Sequence, residues 1–184
     1  MKRSIYIIRH GEKPAKPPPP HGVDINGDHN KDSLIPEGWQ RAGALVTFFS
    51  GPRAVLETPT QLIAPDYSNH PEPCARTHET LQPLAKLPGL SVESPFKKAQ
   101  GADLAKALAA ETTGVALVCW EHDAIIDIAR NMPLLPGPEI PSKWPEDRFD
   151  VVWCFELQAE SGEYSFTQVP QMLLAVDQDS PITS

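Results

Sequence analysis

Two short runs constrain this chain most. Residues 4–8 (SIYII) and 115–119 (VALVC) are almost wholly apolar and do not alternate with polar positions. A strand apolar on both of its sides is buried on both, as in a parallel sheet. Helical patterns lie between and after these strands. Segment 36–49 opens on Pro36, carries Leu45, Phe48 and Phe49 at helical spacing, and is stopped by Gly51 and Pro52. Segment 102–111, with Leu104, Ala105 and Leu108, is amphipathic. Segments 74–87 and 123–130 also read as helices, Pro83 kinking or bounding the first. A short strand is expected at 62–64. Two more, 151–157 and 164–169, flank a hairpin-like turn at 160–163. Strands alternating with helices and ending in a hairpin predict an α/β domain with a mixed sheet. The 184 residues suit a single domain spanning 1–184.

Proline is the compositional oddity, 21 residues in all, and ten of them fall in 13–33 and 133–149. Neither segment can be a packed helix or central strand, so both are expected as loop excursions shaping a site. The formal charge of −8, from 16 basic and 24 acidic residues, opposes a nucleic-acid-binding or membrane-surface protein. The charge is uneven. Residues 1–16 carry a balance of +4 and residues 146–184 one of −7, so a small anion is expected near the N-terminal segment with the acidic tail away from it. Three scattered cysteines, Cys74, Cys119 and Cys154, fit reduced thiols, and no run suits a membrane span or a secretory signal. The expectation is a cytoplasmic protein with no metal and no cofactor. Oligomeric state is not legible.

The chemistry collects at strand ends. The first strand ends on Arg9, His10, Gly11 and Glu12, and the 115–119 strand runs into Glu121, His122 and Asp123. In sheets of this class ligands sit beyond the carboxyl ends of the strands, so two parallel strands would bring His10 and His122 to one small ligand. The cationic neighbour Arg9 keeps His10 neutral and nucleophilic, and Gly11 lets backbone approach a ligand. Arg76, in a first helical turn, is suited to clamp a tetrahedral anion. His21, His29, His70 and His78 have no metal-ligand spacing and read as surface residues. Trp144, in the second excursion, reads as part of a rim that shapes substrate access, with a packed loop as the alternative. Asp123 also has the chemistry of an N-cap for the helix that follows.

The sequence resembles the histidine phosphatase superfamily, as a small member of bacterial type. The matching pieces are Arg9-His10-Gly11-Glu12 after the first strand, the helix start from Leu34 through Gly38 to Ala42, Arg76 with Thr80, and His122 after a strand. The resemblance implies a phosphoglycerate-mutase-like fold: three layers, a mostly parallel mixed sheet, helices on both faces. It implies a metal-independent phosphohydrolase acting on a small phosphomonoester. His10 would form a phosphohistidine that water then cleaves, and Arg9, Arg76 and a cationic His122 would bind the phosphoryl oxygens. Gly11, Glu12 and Trp144 complete the expected substrate contacts. Asp123 after His122 looks like the His-Asp pair of the acid-phosphatase branch, where the aspartate donates the leaving-group proton; Glu121 and Glu93 are rivals. A phosphomutase and a non-catalytic phospho-ligand binding protein are the alternatives.

Overall fold

The alternating side chains of the central strands divide between two apolar layers. A computed structural model describes residues 3–68 and 74–183. The chain runs β1 (Ser4–Arg9), α1 (Pro36–Phe49), β2 (Gln61–Ile63), α2 (Arg76–Leu81), β3 (Val92–Glu93), α3 (Gly101–Glu111), β4 (Val115–Trp120), α4 (Ile125–Arg130), β5 (Val151–Leu157) and β6 (Tyr164–Pro170). Six strands form one sheet in the order β3-β2-β4-β1-β5-β6. The first four are parallel; β5 runs antiparallel to β1, and β6 antiparallel to β5. Ile5 and Ile7 of β1, with Val118 of β4, face Leu104 of α3 and Ile125 and Ile128 of α4. Tyr6 and Ile8, with Leu117 and Cys119, face Leu45, Phe48 and Phe49 of α1. The result is a mixed sheet between two helical layers, as the run pattern and the resemblance together imply.

Register places the two histidine-bearing strand ends side by side. Arg9 of β1 pairs with Trp120 of β4, and the His10 amide continues the ladder by donating to the Trp120 carbonyl at 3.3 Å. Residues 13–33 and 133–149, at the ends expected, hold no helix or strand beyond the isolated bridges Val23–His29 and Leu134–Tyr164. Two local expectations change. The 74–87 pattern becomes α2 followed, after Pro83, by the 3-10 turn Leu84–Lys86. The helix after His122 begins only at Ile125, with Ala124 at its cap position and no side-chain cap bond. Asp123 is therefore not a cap. Its carboxylate is taken by Lys98 instead.

The start of α1 is fixed by backbone contact with the loop that follows β1. A Cβ on Gly38 would lie 2.7 Å from the Glu12 carbonyl oxygen and 2.8 Å from its nitrogen, and one on Gly11 would lie 3.0 Å from the Gly38 carbonyl oxygen. Both obstacles are backbone, so neither can yield cheaply. Gly11 thus serves close packing against α1. Gly38→Ala is expected to lower stability by ~1–3 kcal/mol through overpacking. Gly43→Ala, on the same helix with open space around the added methyl, is expected to raise it by ~0.5–1 kcal/mol. Urea unfolding midpoints of the two variants check both signs.

Candidate active site

Arg9 ends β1 with a guanidinium that is wholly buried. Its Nη1 donates to the carbonyl oxygens of Pro145 at 3.0 Å, Glu146 at 2.6 Å and Arg148 at 3.2 Å, and its Cζ lies 3.9 Å from the centroid of the Phe149 ring. The second excursion therefore folds around this one side chain. Burial pushes the Arg9 pKa down to about 10, against the opposing pull of Glu146 and Glu12, so it remains cationic at neutral pH. Its Nε and Nη2 are buried with no hydrogen-bond partner among the described residues. Leaving such donors unmatched costs about 1–3 kcal/mol each, more for a charged group, so this end of the guanidinium is built to meet an anion.

His10 is 2% exposed. Its Nδ1 lies 2.7 Å from the Gly11 carbonyl oxygen. A carbonyl only accepts, so Nδ1 carries the proton and Nε2 keeps its lone pair. Burial and then Arg9, Arg76 and His122 hold the imidazole well below its ordinary pKa of 6.5, which keeps it neutral. The Gly11 amide donates to Thr80 Oγ1 at 2.8 Å, and that hydroxyl donates to the Arg76 carbonyl at 2.7 Å, so the His10 loop is tied to α2. Arg76, the first residue of α2, donates from Nη1 to the Lys31 carbonyl at 3.4 Å, while its Nε is buried and unpaired among the described residues. The same is true of His122 Nδ1. Burial, Arg9 and Lys13 depress the His122 pKa against Asp123 and Glu146, so without a bound anion this ring too is neutral.

The carboxylates form a separate cluster. Lys98 Nζ donates to Glu121 Oε2 at 2.7 Å and to Asp123 Oδ2 at 2.8 Å, and Tyr67 OH donates to Glu121 Oε1. Residues 122–124 form a turn, and the acids on either side of His122 both reach Lys98 from it. Burial raises the Asp123 pKa, but the Lys98 hydrogen bond and charge, with His122, outweigh it and hold the carboxyl below its usual range. Glu93 is exposed on the edge strand β3, where it accepts a hydrogen bond from Gln61 Nε2. It is not brought to the His10 cluster.

Several of the other singled-out side chains are engaged within the protein. Trp144 is buried and packs tilted against Trp153 with ring centroids 4.8 Å apart, and its indole N–H donates to the Arg148 carbonyl at 2.7 Å. It also lines the cleft bordered by His122 and Asp123. His78 is half-buried and hydrogen-bonded to Ser94, whereas His21 and His29 are exposed; His70 lies outside the described residues. One oxygen of Glu12 is engaged within the protein, while Oε2 is buried with no partner among the described residues. Its Oε1 accepts from Arg41 Nε at 2.9 Å and Nη2 at 2.7 Å. Arg41 in turn donates to Gln171 and to both oxygens of Asp177, at 2.6 and 3.1 Å. The acidic tail is thus not remote from the site, because the buried Arg41 recruits a second anion from it.

Sequence reasoning also passed over Lys13. Its Nζ lies 4.0 Å from Glu146 Oε2, joining the two excursions. Burial and Arg9 push its pKa down. The signal was present: a lysine three residues after His10, in the same loop.

No family model matches this chain, and no curated protein matches it. Solved structures do. The protein histidine phosphatase SixA complexed with tungstate is similar over 91% of this chain and 97% of its own, at 19% identity and TM-score 0.54. Phosphoserine phosphatase from Entamoeba histolytica in complex with 3-phosphoglyceric acid is similar over 94% of this chain and all of its own, at 13% identity and TM-score 0.51. Phosphoglycerate mutase from Bacillus anthracis is similar over 91% of this chain and 92% of its own, at 14% identity and TM-score 0.50. The chain has the histidine phosphatase fold. In it, the sheet's carboxyl edge gathers Arg9, His10, Arg76 and His122, while Glu121 and Asp123 stay paired with Lys98. No described helix is long and apolar enough to cross a membrane.

The Arg41 network yields a prediction within this fold. Asp177→Ala leaves a buried guanidinium with one acid in place of two and is expected to cost ~3–5 kcal/mol. Asp179→Ala, on an exposed tail position, is expected to change stability by less than about 0.5 kcal/mol. Guanidinium-induced unfolding followed by tryptophan fluorescence measures the difference.

Proposed function

We propose that this protein is a metal-independent phosphohydrolase that removes a phosphoryl group from a small phosphomonoester through a phosphohistidine on His10. One observation carries the reading. A neutral, buried imidazole with a free Nε2 lies amid unpartnered buried nitrogens of Arg9, Arg76 and His122. That arrangement suits a phosphate dianion, with a nucleophile for phosphorus and donors for its oxygens.

In this reading the His10 Nε2 lone pair attacks phosphorus while the bond from phosphorus to the leaving oxygen breaks. Arg9 and Arg76 stabilise charge on the equatorial oxygens. The dianion raises the depressed pKa of His122, which becomes a third cationic donor. Water then attacks the phosphohistidine, the phosphorus–nitrogen bond breaks, and His10 is restored neutral with release of phosphate. Lys13 adds positive field at the mouth. Glu12 acts as a positioning residue through Arg41.

The leaving oxygen also needs a proton. Asp123 and Glu121 border the His122 turn, and both are engaged by Lys98. A proton from this side requires Lys98 to let go first, so poor leaving groups are penalised more than activated ones. Lys98→Met is expected to narrow the rate gap between an alkyl phosphate and p-nitrophenyl phosphate roughly two- to five-fold, the equivalent of a partly exposed ion pair. An unchanged gap would remove these carboxylates from the donor role.

The central test is turnover of p-nitrophenyl phosphate in EDTA, expected to proceed. His10→Ala is expected to abolish it, by ~10³-fold or more, and acid quench is unsuitable because the trapped phosphate should be acid-labile and alkali-stable. Turnover equal in His10→Ala would sink the reading.

A further inference from the structure

Two clefts open beside the His10 cluster, and they differ in charge. One, of about 700 Å³, is bordered by Arg76 and walled on both sides by the first excursion, with Lys16, Lys31, His21, His29 and Asp32 among its lining residues. The other, of about 560 Å³, is bordered by His122 and lined by Asp123, Glu146 and Lys143. Counting formal charges with neutral histidines, the first carries three cations against one acid. The second carries one cation against two acids. Each is far larger than a phosphoryl group requires, and each is in the size range of small-molecule sites.

The first cleft is folded, not slack, although it contains no regular element. The Val23 amide donates to the Leu34 carbonyl at 2.8 Å, the Asn30 amide to the Gly22 carbonyl at 2.9 Å, and the Trp39 indole N–H to the Val23 carbonyl at 2.9 Å. Asp24 Oδ1 accepts from the amides of Asn26 and Asp28, closing the turn between the two walls. Glu79 of α2 accepts from Ser33 Oγ and from the Leu34 amide. The rings of His21 and His29 stack at 4.9 Å between centroids with 12° between planes. The walls are thereby anchored to α1 and α2, the helices that also hold the His10 loop.

The cleft is also electrostatically continuous with that loop. Lys13 feels Arg9, Arg76 and Lys16 together, and His122 feels Arg9 and Lys13. Positive charge therefore runs from the nitrogens of Arg9 and Arg76 that are unpaired among the described residues through Lys13 to Lys16, with Lys31, whose carbonyl accepts from Arg76, also lining the cleft.

We propose that the cleft bordered by Arg76 binds a second anionic group of the substrate, a carboxylate or second phosphate carried on the same molecule, through Lys16 and Lys31. The proposal rests on the phosphohydrolase reading and narrows its substrate class. A leaving group with a neutral or cationic end has no charge complement there; the acidic cleft beside His122 suits it better.

Non-hydrolysable probes separate this proposal from the reading beneath it. Alkylphosphonates of three to six carbons ending in a carboxylate, a phosphonate or a hydroxyl are titrated calorimetrically into the wild-type protein. The carboxylate and phosphonate ends are expected to bind at least about ten-fold tighter than the hydroxyl end at low salt, with the advantage shrinking at high ionic strength. Lys16→Met and Lys31→Met are each expected to reduce that ratio, and the double variant to bring it close to one. Lys106→Met, on the exposed face of α3, is expected to leave it intact. Equal affinities for the three ends, or a ratio that survives the double variant or depends on Lys143, would overturn the proposal while turnover of p-nitrophenyl phosphate still upheld the phosphohydrolase reading. Absence of both phosphonate binding and turnover would overturn that reading, and the proposal with it.

Discussion

The guanidinium of Arg41 is 2% exposed and lies where the loop after β1, helix α1 and the tail meet. A charge so buried is tolerable only when paired and fully hydrogen-bonded. Burial alone would depress its pKa, yet Asp177 and Glu12 raise it. Three segments far apart in sequence are consequently held at one point. Glu12 follows the His10 loop directly, so the geometry of that loop depends on a pair completed only when the tail docks. A second clamp works the same way. Asp150 accepts from Arg148 Nε and from the Gln178 amide, and Arg148 Nη2 donates to the Ser180 carbonyl. Since the Arg148 carbonyl is among the acceptors of Arg9, the tail braces both halves of the candidate site.

The parts of this fold legible in the sequence are those where a local pattern has one physical solution. An apolar run such as 115–119 has no polar side to show solvent, so it must be central, and β4 is central. Pro36 and Gly51 bracket α1 because one fits a first helical turn and the other sits just beyond its end at φ +95°. The convergence of His10 and His122 followed from two parallel strands ending at one edge. Illegible parts depended on partners chosen across the chain. Nothing near Asp123 announces that Lys98, 25 residues earlier, will take its carboxylate from the helix cap. Nothing near Trp144 announces Trp153 beneath it. Gly11 was legible as a place of close approach, but the approaching group is α1.

The acidic composition is reconciled with a positive pocket by where its acids are spent. Asp177 and Glu12 neutralise Arg41, Asp150 neutralises Arg148, and Glu121 and Asp123 neutralise Lys98. Each of these cations is thereby removed from the field felt at His10. Among the described residues Arg9 has no carboxylate partner: its hydrogen bonds go to carbonyl oxygens, which orient it without cancelling its charge. The net charge of the chain thus says little about the potential at the strand ends. What decides it is which cations are matched by acids and which only by dipoles.

The same unmatched field makes opposite demands on two histidines. In the proposed reaction, attack on phosphorus needs His10 neutral, and burial with the charges of Arg9, Arg76 and His122 favours that state over imidazolium. Binding phosphoryl oxygens is better served by His122 as a cation, which Arg9 and Lys13 oppose. A dianion between them resolves the conflict through distance and placement. It would cancel the cationic field at His122, whose Nδ1 has no partner among the described residues, so that ring could take up a proton. His10 is held differently: its Nδ1 proton is committed to the Gly11 carbonyl and its Nε2 must face phosphorus, leaving no vacant position for a second proton once the dianion is seated. In the proposed reaction, nucleophile and electrostatic donor would therefore be distinguished by hydrogen-bond geometry within a shared field, and phosphoryl binding would be coupled to proton uptake at His122.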